Sequence, residues 1–274
     1  MNFDAISKDP AWDESYPPFS KMFTFSVAGD DLITTAYIAQ GQGPHRTIVF
    51  FHGFPGTEKN YDLVQILRRA GNNVIVFHYR GSWGSQGSYS INNILEDADA
   101  AIAMLKTDSV RASCRIDPSN IILMGSSLGA FTAMVTLAHH PEIKSMAFLV
   151  GFNFGRYGKY LIGDESRIVK ARELWSDSFA PLRGTNKEKF VSEIIENRNA
   201  WDLVDFAKTL KDKNLLFIAG THDTIADIPN HHQPIVEILE SSDQNRLKAV
   251  VLETDHECSN SRIAVAELLL AWLE

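Results

Sequence analysis

Two short runs rich in β-branched and aromatic residues, Met22 to Val27 (MFTFSV) and Leu32 to Ile38 (LITTAYI), flank an AGDD turn and predict an antiparallel hairpin. The next run, His45 to His52 (HRTIVFFH), is almost continuously apolar, as a strand buried on both faces would be. From there the period switches back and forth. Glu58 to Ala70 puts Leu63, Ile66, Leu67 and Ala70 on one helical face, with Gly71 as a natural stop. Asn73 to Tyr79 is a strand. Ile91 to Lys106 has Ile94, Leu95, Ala98, Ala101, Ile102 and Leu105 at helical spacing. Asp117-Pro118 breaks the chain before the strand Asn120 to Met124, and a small-residue helix runs from Ser127 to His139. Lys144 to Val150, Asn214 to Ala219 and Arg246 to Leu252 are the remaining strands, and a closing helix spans about Ser259 to Leu273.

Alternating strands and helices call for a mostly parallel α/β sheet with helices on both faces, entered through the hairpin. One segment breaks the alternation. Gly151 to about Leu210 is far longer than an ordinary connection and is rich in aromatic residues, among them Phe152, Phe154, Trp175 and Phe190. We read about 152–208 as a partly helical cap, with a helix over Asn186 to Asn197, inserted over the strand ends of a single domain spanning 1–274.

Composition narrows the class without choosing within it. Of 274 residues 45% are hydrophobic and 22% charged, ordinary for a chain that buries a core. A formal net charge of −8 argues against nucleic acid or an anionic membrane as partner. The start, MNFDAISKDPAWDESYPP, lacks the basic and apolar regions of a signal peptide, and no apolar run is long enough to span a bilayer. Cys114 and Cys258 form no disulfide framework and suit a reducing compartment, so a cytoplasmic location is expected.

The chemistry sits in four loops. Gly125-Ser126-Ser127-Leu128-Gly129 is a G-x-S-x-G pentapeptide between a strand and a helix of small residues. A serine in such a turn projects above the sheet, and the glycines let backbones pass closely. Ser126, one position early, is aimed elsewhere by the same turn. The loop His52-Gly53-Phe54-Pro55-Gly56 follows the strand HRTIVFFH, and the backbone N–H groups of Phe54 and Leu128 are the expected donors to an oxyanion. A serine needs a base. Nine histidines leave that choice to topology, and His256 lies in the loop between the last strand and the last helix. Asp223, in Gly220-Thr221-His222-Asp223, follows the preceding strand and is the expected acid, with Asp227 and Asp255 as rivals. Ser127, Asp223 and His256 all fall just past carboxyl ends of strands, where open α/β sheets form their sites. His222, Asp223, His231 and His232 are close in sequence but have no recognised metal-ligand spacing, so neither a metal nor another cofactor is expected.

With HGFPG, GSSLG, GTHD and DH in this order, the chain resembles the α/β-hydrolase superfamily over nearly its whole length. Tyr79-Arg80-Gly81-Ser82-Trp83-Gly84-Ser85 looks like a Y-R-G-x-G-x-S segment of its prolyl-oligopeptidase-like and acylaminoacyl-peptidase-like branch. The large peptidases of that branch carry an N-terminal β-propeller, for which the residues before His45 leave no room. The resemblance therefore implies an esterase acting on a small or medium acyl substrate through an acyl-serine. Peptidase, amidase and thioesterase chemistry by the same triad stay open, as does a non-catalytic ligand-binding role. Phe54, Phe152, Phe154 and Trp175 are the expected substrate contacts. Arg80 to Ser88 is either a floor of the site or a structural loop, and the oligomeric state is not legible.

Overall fold

A computed structural model describes residues 4–210, 212–241 and 246–274. The hairpin is β1 (Phe19–Val27) and β2 (Asp30–Ile38), followed by β3 (His45–Phe51), α1 (Tyr61–Arg69), β4 (Asn73–Phe77), α2 (Ile91–Leu105) and a short α3 (Asp108–Ser113). Then come β5 (Ile116–Ser126), α4 (Leu128–His139) and β6 (Ser145–Leu149). Four helices follow before the next strand: α5 (Phe154–Leu161), α6 (Glu165–Leu174), α7 (Lys187–Glu196) and α8 (Leu203–Ala207). The chain closes with β7 (Asn214–Gly220), α9 (Gln233–Glu240), β8 (Arg246–Leu252) and α10 (Arg262–Leu273).

Among the described residues the strands form one eight-stranded sheet, ordered β1-β2-β4-β3-β5-β6-β7-β8. β1 with β2 and β2 with β4 are antiparallel, and the later pairings are parallel. β3 shows why its run is apolar throughout. Ile48 and Phe50 enter the core shared with α1 and α10, whereas Val49 and Phe51 enter the core shared with α2 and α4. The order β4-β3-β5 also means that the chain leaves β3 to one side and returns on the other. The carboxyl ends of β3 and β5 are thus a switch point, where a crevice opens.

Several boundaries differ from the sequence expectation, each for a local reason. Asp117-Pro118 does not end a segment but lies inside β5. There the pairing with β3 jumps from His45↔Ile116 to Thr47↔Ile121, and the extra residues bulge from the ladder. α1 starts at Tyr61, after Asn60 in a left-handed conformation, and buries Leu63, Val64 and Leu67 while Ala70 is exposed. α10 starts at Arg262, because Ser259 is turned back on the Asp255 carboxylate. The short α3 and the helix α9 were not anticipated.

The insertion between β6 and β7 is helical and built on short polar caps. Asn153, Asp164, Asn186 and Asp202 each accept a backbone N–H with a side-chain oxygen at the start of α5, α6, α7 and α8. Two devices fasten it to the sheet. The half-buried Glu193 carboxylate of α7 accepts the N–H groups of Ile91 and Asn92, both at 3.0 Å, at the free amino end of α2. The segment before α7 threads the loop after β4: Arg183 N–H donates to Gly81 O at 2.7 Å and Tyr89 N–H to Arg183 O at 2.8 Å. A Cβ on Gly81 would stand 2.3 Å from Tyr89 N, so this passage requires glycine. The Arg80–Ser88 segment therefore grips the insertion. No helix among the described residues is long and apolar enough to cross a membrane.

Replacing Glu193 with alanine strips both acceptors from the amino end of α2. We expect a loss of about 1–2 kcal/mol in unfolding free energy, read as a lower urea midpoint, with Glu193→Gln losing less.

Candidate active site

Ser127 stands at the switch point between β5 and α4, with φ 56° and ψ −119°. A side chain in this region is strained by about 1–3 kcal/mol and persists only where its surroundings over-determine it. Here they do. Ser127 N–H donates to Leu149 O at 3.0 Å, and Ser127 O accepts from Ala130 N–H at 3.0 Å. The two flanking glycines bring three backbones together: a Cβ on Gly125 would lie 2.0 Å from Gly129 O, and one on Gly129 would lie 1.9 Å from Phe51 O. α4 is thus pressed onto the end of β3 with no room for a methyl group.

His256 bridges serine and acid. Its Nδ1 is 2.7 Å from Asp223 Oδ2 and its Nε2 is 2.9 Å from Ser127 Oγ. Asp223 is buried, and its other oxygen accepts the N–H groups of Ile225 and Ala226 at 2.9 and 2.7 Å. Burial alone pushes this carboxyl up. The hydrogen bond and charge of His256, with the two backbone donors, outweigh it and hold the carboxyl below its usual value. The ionised acid accepts only, so the imidazole proton sits on Nδ1 and Nε2 is left to accept the serine hydroxyl proton. The rival acids are engaged elsewhere. Asp255 accepts from Ser259 N–H and Oγ at 2.9 and 2.7 Å, and Asp227 Oδ1 accepts from Asn230. Ser126 is the last residue of β5, paired with Leu149. His222, His231 and His232 do not converge on Asp223. His222 is exposed beside Glu253, His231 stacks on Phe152 and His232 packs near Phe217.

The loop after β3 passes directly over the serine, since a Cβ on Gly53 would lie 3.3 Å from Ser127 Cβ. Its carbonyls are held from behind. His52 Nδ1–H donates to Gly53 O at 2.8 Å, Tyr79 Oη–H to His52 O at 2.9 Å, and Trp83 Nε1–H to Pro55 O at 2.7 Å. A trans peptide sets its C=O and N–H in opposite directions. Fixing Gly53 O against the His52 ring therefore turns Phe54 N–H away from that ring. Burial pushes His52 down to about 3, so the ring stays neutral and keeps its single Nδ1 proton. Leu128 N–H lies in the first turn of α4, where no carbonyl of the helix is available to it. Among the described residues neither the Phe54 nor the Leu128 N–H donates to another protein group.

Phe54 turns its side chain into the insertion and stacks on Phe190 at 4.6 Å. A cavity of about 170 Å³ opens at Ser127, lined by Phe54, Phe152, Phe154 and Trp175, together with Leu174 and Ile225. The sequence reading named the first four and missed the last two, single exposed aliphatic residues carrying no pattern. A narrower cleft of about 30 Å³ shares Phe54, Ser127 and His256 with it and is bordered by Gly53, Thr57 and Glu58. His52, Tyr79 and Trp83 were not anticipated as supports of the loop. The HG dipeptide and the YRGSWG run were visible, but not the contacts between them. Cys258 is buried in the core beside α10, and burial pushes its thiol up to about 11, which keeps it protonated.

A family profile described as the α/β hydrolase fold matches residues 46–159. The α/β hydrolase domain-containing protein WAV2 of Arabidopsis thaliana is 27% identical over 197 residues, which cover 71% of this chain and 57% of WAV2. The chain thus spans little more than half of that relative. Among solved structures, the acylaminoacyl peptidase of Pyrococcus horikoshii superposes with a TM-score of 0.69 at 17% identity, covering 93% of this chain and 41% of that one. The Pyrococcus furiosus esterase Pf2001 superposes at 0.67 with 18% identity, covering 97% and 96%. The chain has the α/β-hydrolase fold.

The Gly129→Ala methyl meets the Phe51 carbonyl, a backbone atom that cannot swing aside. It should cost on the order of 3 kcal/mol or prevent folding, which thermal unfolding of the variant would register.

Proposed function

We propose that this α/β-hydrolase-fold chain is a serine hydrolase that cleaves carboxylic esters of small or medium acyl groups through an acyl-serine. The reading rests on one observation: an unbroken line of hydrogen bonds from Asp223 through His256 to Ser127 at the mouth of an apolar cavity. Ser127 Oγ attacks the ester carbonyl as His256 Nε2 takes its proton. Asp223 offsets the charge that appears on the imidazole. The carbonyl oxygen gains negative charge in the tetrahedral intermediate and meets the N–H groups of Phe54 and Leu128, which have no competing acceptor among the described residues. Collapse expels the alcohol, protonated by His256. Water then attacks by the same route, giving up a proton to His256, which returns it to Ser127 Oγ as the acyl–Oγ bond breaks and the acid leaves. Two compartments meet at Ser127, and their unequal size supports the following division. The aromatic cavity takes the acyl arm, and the small cleft by Gly53 and Thr57 takes the leaving group or the water.

Treatment with a fluorophosphonate should leave an adduct on Ser127, and p-nitrophenyl esters of short acids should be turned over. Ser127→Ala should lose the adduct and lower kcat by about 10⁵-fold or more while still folding. A folded protein that takes no label and hydrolyses no ester in the panel would instead be a binding module on this fold.

His52 acts on the reaction through the peptide it orients. His52→Phe keeps a ring in the space but removes the Nδ1–H bond to Gly53 O. We expect kcat to fall by about 10- to 100-fold, less than the loss of a whole oxyanion donor, with KM changed little. A rise in KM at constant kcat would assign His52 to packing alone.

A further inference from the structure

Behind Phe152 lies a second cavity of about 330 Å³, larger than the one at Ser127. The two share Phe152, Leu174 and Ile225 in their linings. Leu174 and Ile225 are 58% and 41% exposed, and Tyr160 of the second cavity is 53% exposed. One exposed aliphatic residue is ordinary, but here two, Leu174 and Ile225, line both the cavity at Ser127 and the second cavity, which Tyr160 also borders. Its chemistry differs from that of the first. α5 contributes Arg156, Tyr157 and Tyr160, and the loop after β7 contributes Thr224, Asp227 and His231.

Arg156 is the unusual member. The guanidinium groups of its neighbours in the insertion are engaged, Arg167 by Asp164 and by Tyr160 O, and Arg172 by Glu165. Among the described residues the half-buried Arg156 guanidinium makes no hydrogen bond and no ion pair, which leaves its planar set of donors unspent. The carboxylate that borders the cavity, Asp227, is engaged through Oδ1 by the Asn230 backbone and amide, and forms no ion pair with Arg156. His231 Nδ1 accepts Asn153 N–H at 2.9 Å, so the neutral ring carries its proton on Nε2. Burial holds His231 at about 4 and pushes Tyr157 up to about 12, so both stay neutral hydrogen-bond donors around neutral pH. The lining of the cavity thus joins apolar side chains to the donors of Arg156, Tyr157 and His231, with the Asp227 carboxylate held through Oδ1 by Asn230.

We propose that this cavity is the far end of the acyl site and holds a carboxylate carried at the tip of the acyl arm, so that the preferred substrates are monoesters of dicarboxylic acids. The apolar middle of the arm lies along Phe152, Leu174 and Ile225, and Arg156 receives the terminal carboxylate through paired N–H bonds. The inference rests on the ester-hydrolase reading, and it leaves the chemistry at Ser127 unchanged.

The test compares p-nitrophenyl monoesters of the dicarboxylic acids from glutaric to suberic with p-nitrophenyl esters of monocarboxylic acids of equal chain length. At the matching length the ratio of kcat/KM, charged over neutral, should exceed unity by about 10- to 100-fold, the range of a hydrogen bond to a charged group. It should narrow as salt is added. Arg156→Gln should bring that ratio to about one, with Arg156→Lys intermediate. A wild-type ratio at or below one at every length overturns the inference without any variant, and so does an Arg156→Gln protein that lowers both panels by the same factor. Turnover of neither panel, with no fluorophosphonate adduct, is the separate failure of the ester-hydrolase reading itself.

Discussion

The contact on which the rest depends is the close approach of α4 to the end of β3, where Gly129 lies against the Phe51 carbonyl. That approach forces the sharp turn at Ser127 and lifts the serine clear of the sheet. It also brings the start of α4, where Leu128 N–H has no acceptor among the described residues, beside the loop that leaves β3. Had a side chain stood at Gly125 or Gly129, the serine and the loop would separate, and no arrangement of histidine and acid elsewhere would compensate.

Around this point the protein places rigid parts behind every group that has to be aimed. Asp223 is fixed by two backbone donors before it ever meets His256. The Gly53–Phe54 peptide is fixed by the His52 ring, and the flanking carbonyls by Tyr79 and Trp83. These supports are neutral groups, so the geometry does not depend on a titration near neutral pH. The same loop after β4 that supplies Trp83 also grips the insertion through Gly81, so the roof of the cavity and the loop over the serine share one anchor. Phe54 joins them again from the other side, its backbone over the serine and its ring against Phe190.

The insertion divides the space it covers. Near Ser127 the lining is aromatic and closes on a small volume. Beyond Phe152 it widens and turns polar, around Arg156. Both the insertion and the loop after β7, through Ile225, Asp227 and His231, line that space.

The sequence by itself determined the alternation of strands and helices, the odd length of 151–210, the three loops that carry Ser127, Asp223 and His256, and the glycine-rich loop after β3. These are local matters. A buried strand must be apolar on both faces, as β3 is, a turn like that at Ser127 needs glycines two residues away on either side, and a loop after a parallel strand emerges at one edge of the sheet. Tertiary structure alone decided what depends on residues far apart in the chain. Asp223 meets His256 while Asp227 and Asp255 turn to Asn230 and Ser259, because only the first is aimed across the gap between β7 and β8. The bulge inside β5 follows from its register with β3, which no pattern within β5 records. Leu174, Ile225 and Arg156 border cavities because helices of the insertion settle over the loop after β7. Their neighbours in sequence carry no trace of that, since a side chain's role in a cavity is set by what packs opposite it.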